Sequence, residues 1–295
     1  MSELREVKTI STAHRQREGG GFIVRRPFPS AGRDMADPFL LIDEMGPADY
    51  APGEAVGAPD HPHRGFETVT YMLEGEFEHE DSAGHRGRIR PGDVQWMTAG
   101  AGVVHSEMPS AEIRTKGGRI HGFQIWVNLL ASDKLMRPRY QELSAAEIPV
   151  GHSEDGLASV RVIAGTALGA EARIDTRIPI VLQDWTLKPG ADVSTAVAAE
   201  EQAMVYVFGG AATVGDNGIR VDDGCLGMLG DGDSVRLRNN GEQDARLLLL
   251  AGKPLNEPVA RHGPFVMNNQ AELRQAFVDY QNGRMGEITR EAQIG

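Results

Sequence analysis

Apolar residues in this chain come in short runs divided by turns, and almost nowhere at helical spacing. Phe22-Ile23-Val24 follows three consecutive glycines, and Phe39-Leu40-Leu41-Ile42 follows Pro38. Thr68 to Leu73 is rich in β-branched and aromatic residues and is broken by Glu74-Gly75-Glu76. The turn Arg90-Pro91-Gly92-Asp93 leads into Val94-Gln95-Trp96-Met97, and Gly122 to Leu129 forms a further run. Side chains of this kind suit a pleated surface, and Gly, Pro and Asp suit the turns between. Because no helical stretch separates successive runs, the pattern predicts an antiparallel all-β architecture rather than βαβ units. The tail is the exception. Between Asn269 and Arg284, Leu273, Phe277 and Tyr280 recur at helical spacing behind a capping Asn268 or Asn269, so one C-terminal helix is expected.

The pattern also repeats. Tyr71-Met72-Leu73-Glu74-Gly75 resembles Tyr206-Val207-Phe208-Gly209-Gly210, and Pro91-Gly92-Asp93-Val94 resembles Asp223-Gly224-Cys225-Leu226 at nearly the same offset. A shared offset points to a duplication. The chain therefore divides into a first domain at 1–131, a linker at 132–150 containing Arg137-Pro138-Arg139 and Ile148-Pro149, and a second domain at 151–295 that carries the helix. The second copy has no histidine between 153 and 261. Whatever the first half binds through imidazole, the second half cannot.

Composition narrows the function. The 295 residues are 40% hydrophobic, enough for a sizeable core, and the 36 Gly and 16 Pro supply turns between short strands. The net charge of -12, with no dense Lys/Arg run, argues against direct nucleic-acid or anionic-membrane binding. Cys225 is the sole cysteine, which excludes an intramolecular disulfide and a cysteine-based zinc module. The first ten residues hold no apolar signal core, and no run approaches the roughly 20 apolar residues of a membrane span. A soluble, cytoplasmic monomer is the expectation.

Six of the nine histidines fall between positions 61 and 121. His61 and His63 in His-Pro-His-Arg-Gly, and His105 and Glu107 in His-Ser-Glu, are each two residues apart. On a strand such a pair points to one side. Two strands can then bring three imidazoles and a carboxylate to one point, a set that suits Fe, Mn, Co, Ni or Zn, whereas Ca and Mg prefer oxygen ligands. His79 and His85 flank the turn-like Glu80 to Gly84 and read as exposed or hydrogen-bonded side chains. His121 reads as structural. Ser106 falls between two proposed ligands and should face away from them, which disfavours a Ser-His-Glu hydrolase. Gly100-Ala101-Gly102 has no helix behind it and so does not read as a phosphate loop. Phe66, Met72, Trp96 and Met97 are candidate apolar walls of a pocket.

At these residues the chain resembles the pirin family of the cupin superfamily. The resemblance is carried by residues 60–76 (DHPHRGFETVTYMLEGE), the HED and GH phrases between 79 and 85, residues 90–109 (RPGDVQWMTAGAGVVHSEMP), 122–129 (GFQIWVNL) and 263–268 (GPFVMN). It spans nearly the whole chain. It implies two tandem cupin barrels (double-stranded β-helix, or jelly-roll) with one metal, usually iron, in the first barrel only, held by His61, His63, His105 and Glu107. Manganese, cobalt, nickel, copper and zinc are the alternatives. A cupin's first motif places an acid three or four residues after His-x-His and six before a glycine. Glu67 meets the first spacing and misses the second, and Glu107, in one phrase with His105, is the better ligand. The resemblance further implies a quercetin 2,3-dioxygenase-like activity on a flavonol with O2, with Glu107 as ligand and base together. The alternative is an iron-dependent regulator that binds a transcription factor or a metabolic enzyme. A third reading is a cupin isomerase or sugar-binding module without redox chemistry.

Overall fold

The computed structural model describes residues 3–30 and 32–289. The chain divides into two compact units, each assembled from three stretches: 1–14, 26–38 and 146–255 in one, and 15–25, 39–145 and 256–295 in the other.

The unit containing the histidine phrases has a seven-stranded and a four-stranded antiparallel sheet. The larger runs in the order Arg139–Leu143, Val94–Thr98, Phe66–Glu74, Gly118–Asn128, Phe39–Tyr50, Phe22–Phe28, His14–Glu18. The smaller runs Ala58–His63, Val103–Pro109, Phe77–Asp81, Arg86–Ile89. Side chains of both sheets meet inside, as where Thr70 reaches Glu107. The other unit repeats the plan. Its large sheet runs Val7–Thr12, Cys225–Leu229, Gln202–Gly209, Ala245–Gly252, Ile180–Leu187, Ala158–Ala164, Val150–His152, and its small sheet Asp192–Ala196, Ser234–Arg238, Ala211–Val214, Ile219–Asp222. The duplication extends to register: Tyr71 stands opposite Val94 and Phe123, and Tyr206 opposite Leu226 and Leu248. Gly75 and Gly210 close the matched strands with φ of 81° and 66°, the left-handed region that glycine enters without a Cβ penalty.

The units do not follow the sequence division at 131 and 150. The stretch read as a linker contributes Arg139–Leu143, which pairs with Val94–Thr98 at the edge of the first barrel's sheet. The matching edge strand of the second barrel is Val7–Thr12, from the start of the chain, paired with Cys225–Leu229. An edge strand needs only one partner, so it can be supplied from either direction along the chain.

The C-terminal helix forms over Gln270–Gln281, with the Asn269 side chain accepting from the Glu272 N–H at 3.0 Å. It belongs to the first barrel's unit and not to the second domain. The reason is its apolar face: Leu273 and Ala276 are buried in a cluster with Val104, Ala260, Phe265 and Met267. A second helix, Ala111–Lys116, is a single short turn capped by Ser110. Neither helix is long and apolar enough to cross a membrane.

Candidate metal centre

His61 and His63 lie on Ala58–His63, an edge strand, where Pro59 and Pro62 are tolerated because one side of the backbone has no ladder to serve. This strand runs antiparallel to Val103–Pro109, with His61 opposite His105 and His63 opposite Val103. The register then slips, so that Glu107 meets Ala58. Across the other edge Val103–Pro109 stays in step, with His105 opposite Asp81 and Glu107 opposite His79. The extra residue therefore sits in Ala58–His63, and His105 and Glu107 keep one face. Bulges of this kind commonly re-aim side chains beside a site.

One ring nitrogen from each of His61, His63 and His105 lies within 4.8 Å of the other two. The Nε2 atoms of His61 and His63 are 3.1 Å apart, a separation that suits two neighbouring ligands each about 2.1 Å from one ion. His61 Nδ1 donates to the Pro59 carbonyl at 2.8 Å, which fixes its tautomer and leaves Nε2 with its lone pair toward the other rings. His63 and His105 are buried, and both ring nitrogens of His105 lack a hydrogen-bond partner. Burial, reinforced by the neighbouring imidazoles, pushes the pKa of both well below the ordinary histidine value, so both stay neutral, the form that binds metal. The donor set thus fits a transition metal ion.

Glu107 stands outside that nitrogen group. Its carboxyl is buried, and Oε1 accepts from the Thr70 hydroxyl at 2.7 Å. Thr70 Oγ1 in turn accepts from Gln124 Nε2 at 3.1 Å, which directs the hydroxyl proton at Glu107. Burial raises the Glu107 pKa, and the Thr70 bond and His61 oppose the rise.

The other residues sort by strand parity. Phe66, Thr68, Thr70 and Met72 share the inner face of their strand, so Glu67 points outward, where it accepts from Thr98 Oγ1 at 2.6 Å. Glu67 thus lies off the face that carries Thr70 toward Glu107. Phe66 lines the site, with its ring 5.1 Å from His63, and Met97 packs with Ala99, Val103 and Tyr140. Met72 lies in a separate cluster with Phe77 and Ile89. Trp96 stands opposite Val69 on the outer face, away from the side that carries Thr70 and Phe66. Trp126 takes that place instead, 5.2 Å from His63 and 4.3 Å from Phe66. Its parity with Gln124 was the available signal.

His121 Nε2 donates to Glu44 Oε1 at 2.8 Å. His85 is mostly exposed and pairs with Asp81 at 3.0 Å. His79 departs from expectation: it is 1% exposed, neither ring nitrogen has a partner, and its ring lies 5.4 Å from His105. The turn at 82–84 hides this, because the strand Phe77–Asp81 ends only after His79 has turned inward.

The loops that carry the ligands are tied from behind. Arg64 donates to the Ala101 carbonyl at 2.6 Å and pairs with Asp279 at 2.8 Å. Lys134, 1% exposed, donates to the carbonyls of Gly65 and Val266 and to Asn128 Oδ1. Gly65 has φ of 88°, and a Cβ there would meet the Val266 carbonyl oxygen at 1.9 Å, so only glycine fits beside His63.

Comparison with known proteins agrees with this geometry. Residues 21–127 match the Pirin family and residues 182–286 the Pirin C-terminal cupin domain. Human pirin is 42% identical over 289 residues, covering 97% of this chain and 96% of its own. A crystal structure of a quercetin 2,3-dioxygenase from Acinetobacter baumannii superposes with a TM-score of 0.90 at 37% identity, covering 97% of this chain and 100% of that one. A bacterial pirin from Escherichia coli in complex with nickel(II) shares the fold, with a TM-score of 0.62 at 22% identity over 83% of this chain and 100% of that one.

Proposed function

The chain belongs to the pirin family of two-barrel cupins, and on that footing we propose that it is a mononuclear metal-dependent dioxygenase of the quercetin 2,3-dioxygenase type, opening the central ring of a flavonol with O2 and releasing carbon monoxide. The observation that carries this reading is the convergence of three imidazoles beside a buried carboxyl. The likeness to the A. baumannii quercetin 2,3-dioxygenase supports the substrate class. His61, His63, His105 and Glu107 would hold a divalent transition metal, iron first, with manganese, cobalt, nickel, copper or zinc as alternatives. When bound, that ion supplies a Lewis acid for the enolic oxygen of the substrate and a path for electrons to O2.

The chain's own residues do the rest. Thr70 holds Glu107 Oε1, which leaves Oε2 to accept the flavonol 3-hydroxyl proton. Phe66 and Trp126 present aromatic edges beside His63 for the flat ring system. Burial of His63 and His105 excludes water on that side, and the partly exposed His61 marks the solvent side.

Elemental analysis of protein purified without added metal, followed by an anaerobic-to-aerobic quercetin assay, tests the reading. About one metal per chain with quercetin turnover, and loss of both in His63→Ala, is the expected result. Full occupancy without turnover would sink the enzymatic reading. It would leave a metal-dependent regulator, to be pursued by pull-down against the oxidation state of the iron.

A further inference from the structure

His79 is buried at 1% exposure, and both of its ring nitrogens lack a hydrogen-bond partner. His105 shares that condition, but its nitrogens belong to the converging group that fits a metal ion, and those of His79 do not. Buried polar atoms are almost always satisfied, and an imidazole left without partners is costly where an apolar side chain of similar size would pack freely. A partner from outside the protein would meet that deficit, at His79 and at the neighbouring Tyr140 hydroxyl alike.

Position says where that partner lies. His79 stands directly opposite Glu107, so its side chain is on the face that carries Glu107 and His105. Its ring is 5.4 Å from His105 on one side and 5.1 Å from Tyr140 on the other. Tyr140 packs against the apolar cluster of Met97, Ala99 and Val103. One polar imidazole beside an aromatic and apolar wall, next to the three-histidine centre, is the chemistry that recognises an oxygen substituent on a flat aromatic molecule.

We propose that His79 is the hydrogen-bonding contact for a hydroxyl or carbonyl oxygen of the aromatic substrate, in a subsite walled by Tyr140 and Met97. The inference rests on the flavonol reading above. It makes His79 a binding residue and not a metal ligand.

The test is quercetin binding, followed by absorbance under anaerobic conditions, to nickel(II)-loaded full-length wild type, His79→Leu and His79→Gln. Losing one buried hydrogen bond should weaken quercetin binding about five- to tenfold in His79→Leu, and Gln, which keeps a donor and an acceptor, should restore part of it. Metal content should stay at the wild-type level. The thermal midpoint of His79→Leu without ligand should equal or exceed that of the wild type, because an unpartnered imidazole is replaced by an apolar side chain. A merely structural histidine would give the reverse: a lower midpoint and unchanged affinity. If His79→Leu fails to fold, His79→Gln alone decides: loss of metal from that variant would make His79 a brace for the ligands and overturn the proposal, and wild-type affinity at full metal content would overturn it as well. Equal quercetin binding by wild type and both variants sinks the role of His79 alone. Wild type that binds metal but no quercetin sinks it together with the flavonol reading.

Discussion

In the first barrel the edge strand Ala58–His63 and its neighbour Val103–Pro109 carry three histidines and a glutamate. In the second, Asp192–Ala196 and Ser234–Arg238 hold the same places in the sheet order, and their inward positions are Val193, Thr195, Val235 and Leu237. The second interior is closed by Val160, Trp185, Val205 and Leu247 among others, all without exposed surface. The first keeps polar side chains inside: Thr70, Gln124, Glu107 and His79. One strand plan thus supports two solutions. A largely apolar interior gains stability from burial, and a polar one accepts unmet hydrogen bonds in exchange for a place where chemistry can occur. The difference teaches that the backbone plan is indifferent to function, which is set by a few inward positions on two strands.

The largest expected effect breaks the asymmetry at its source. His105→Ala should abolish stoichiometric metal binding, beyond the roughly 10–100-fold loss that an outer-shell partner costs, while Thr195→Ala in the second barrel should leave metal content unchanged. Elemental analysis after dialysis reads both. Next comes the mirror experiment. Leu247→Ala should destabilise the protein by about 2–5 kcal/mol through the cavity it leaves, with metal content per folded chain unaltered.

A smaller effect concerns the helix behind the first barrel. The hydrogen bond from Arg64 holds the Asp279 carboxyl at about 2, below its ordinary 3.8. A carboxyl depressed in the folded state stabilises the fold above its unfolded pKa, and that contribution is lost as pH falls from about 4 toward 2. Asp279→Asn should therefore lower the denaturation midpoint at pH 7 and converge with wild type near pH 2. Equal midpoints at pH 7 would show that the Arg64 pair contributes nothing. The smallest effect is Thr70→Val, which removes one donor from Glu107. We expect about a tenfold loss of metal affinity at most, with a stability cost of about 1–2 kcal/mol. No change in metal affinity would place Glu107 outside the metal's ligand shell.

Much of this was legible in the chain. The paired spacing of His61 with His63 and of His105 with Glu107 marks residues on common strand faces, because side chains alternate with a period of two. The repeated Tyr71 and Tyr206 phrases mark matched positions, and the structure keeps them in matched register. The misses share a cause. Trp96 and Trp126 both lie in apolar runs, and only the sheet shows which of them faces His63. Tyr140 lies in a stretch punctuated by Pro138 and resembles linker until Val94–Thr98 is there to pair with it. His79 looks like a turn-flanking histidine until Val103–Pro109 closes over it.

The sequence by itself determined the all-β class, the duplication, the absence of imidazole from the second copy and the two phrases able to meet at a metal. These follow from local periodicity and residue chemistry, which need no knowledge of partners. Only the tertiary structure decided that the first strand completes the second barrel, that the last helix braces the first, and that Glu107 answers to Thr70 and lies opposite His79. Those facts depend on which strands pair across long separations, and pairing is set by burial of whole faces at once rather than by any single segment.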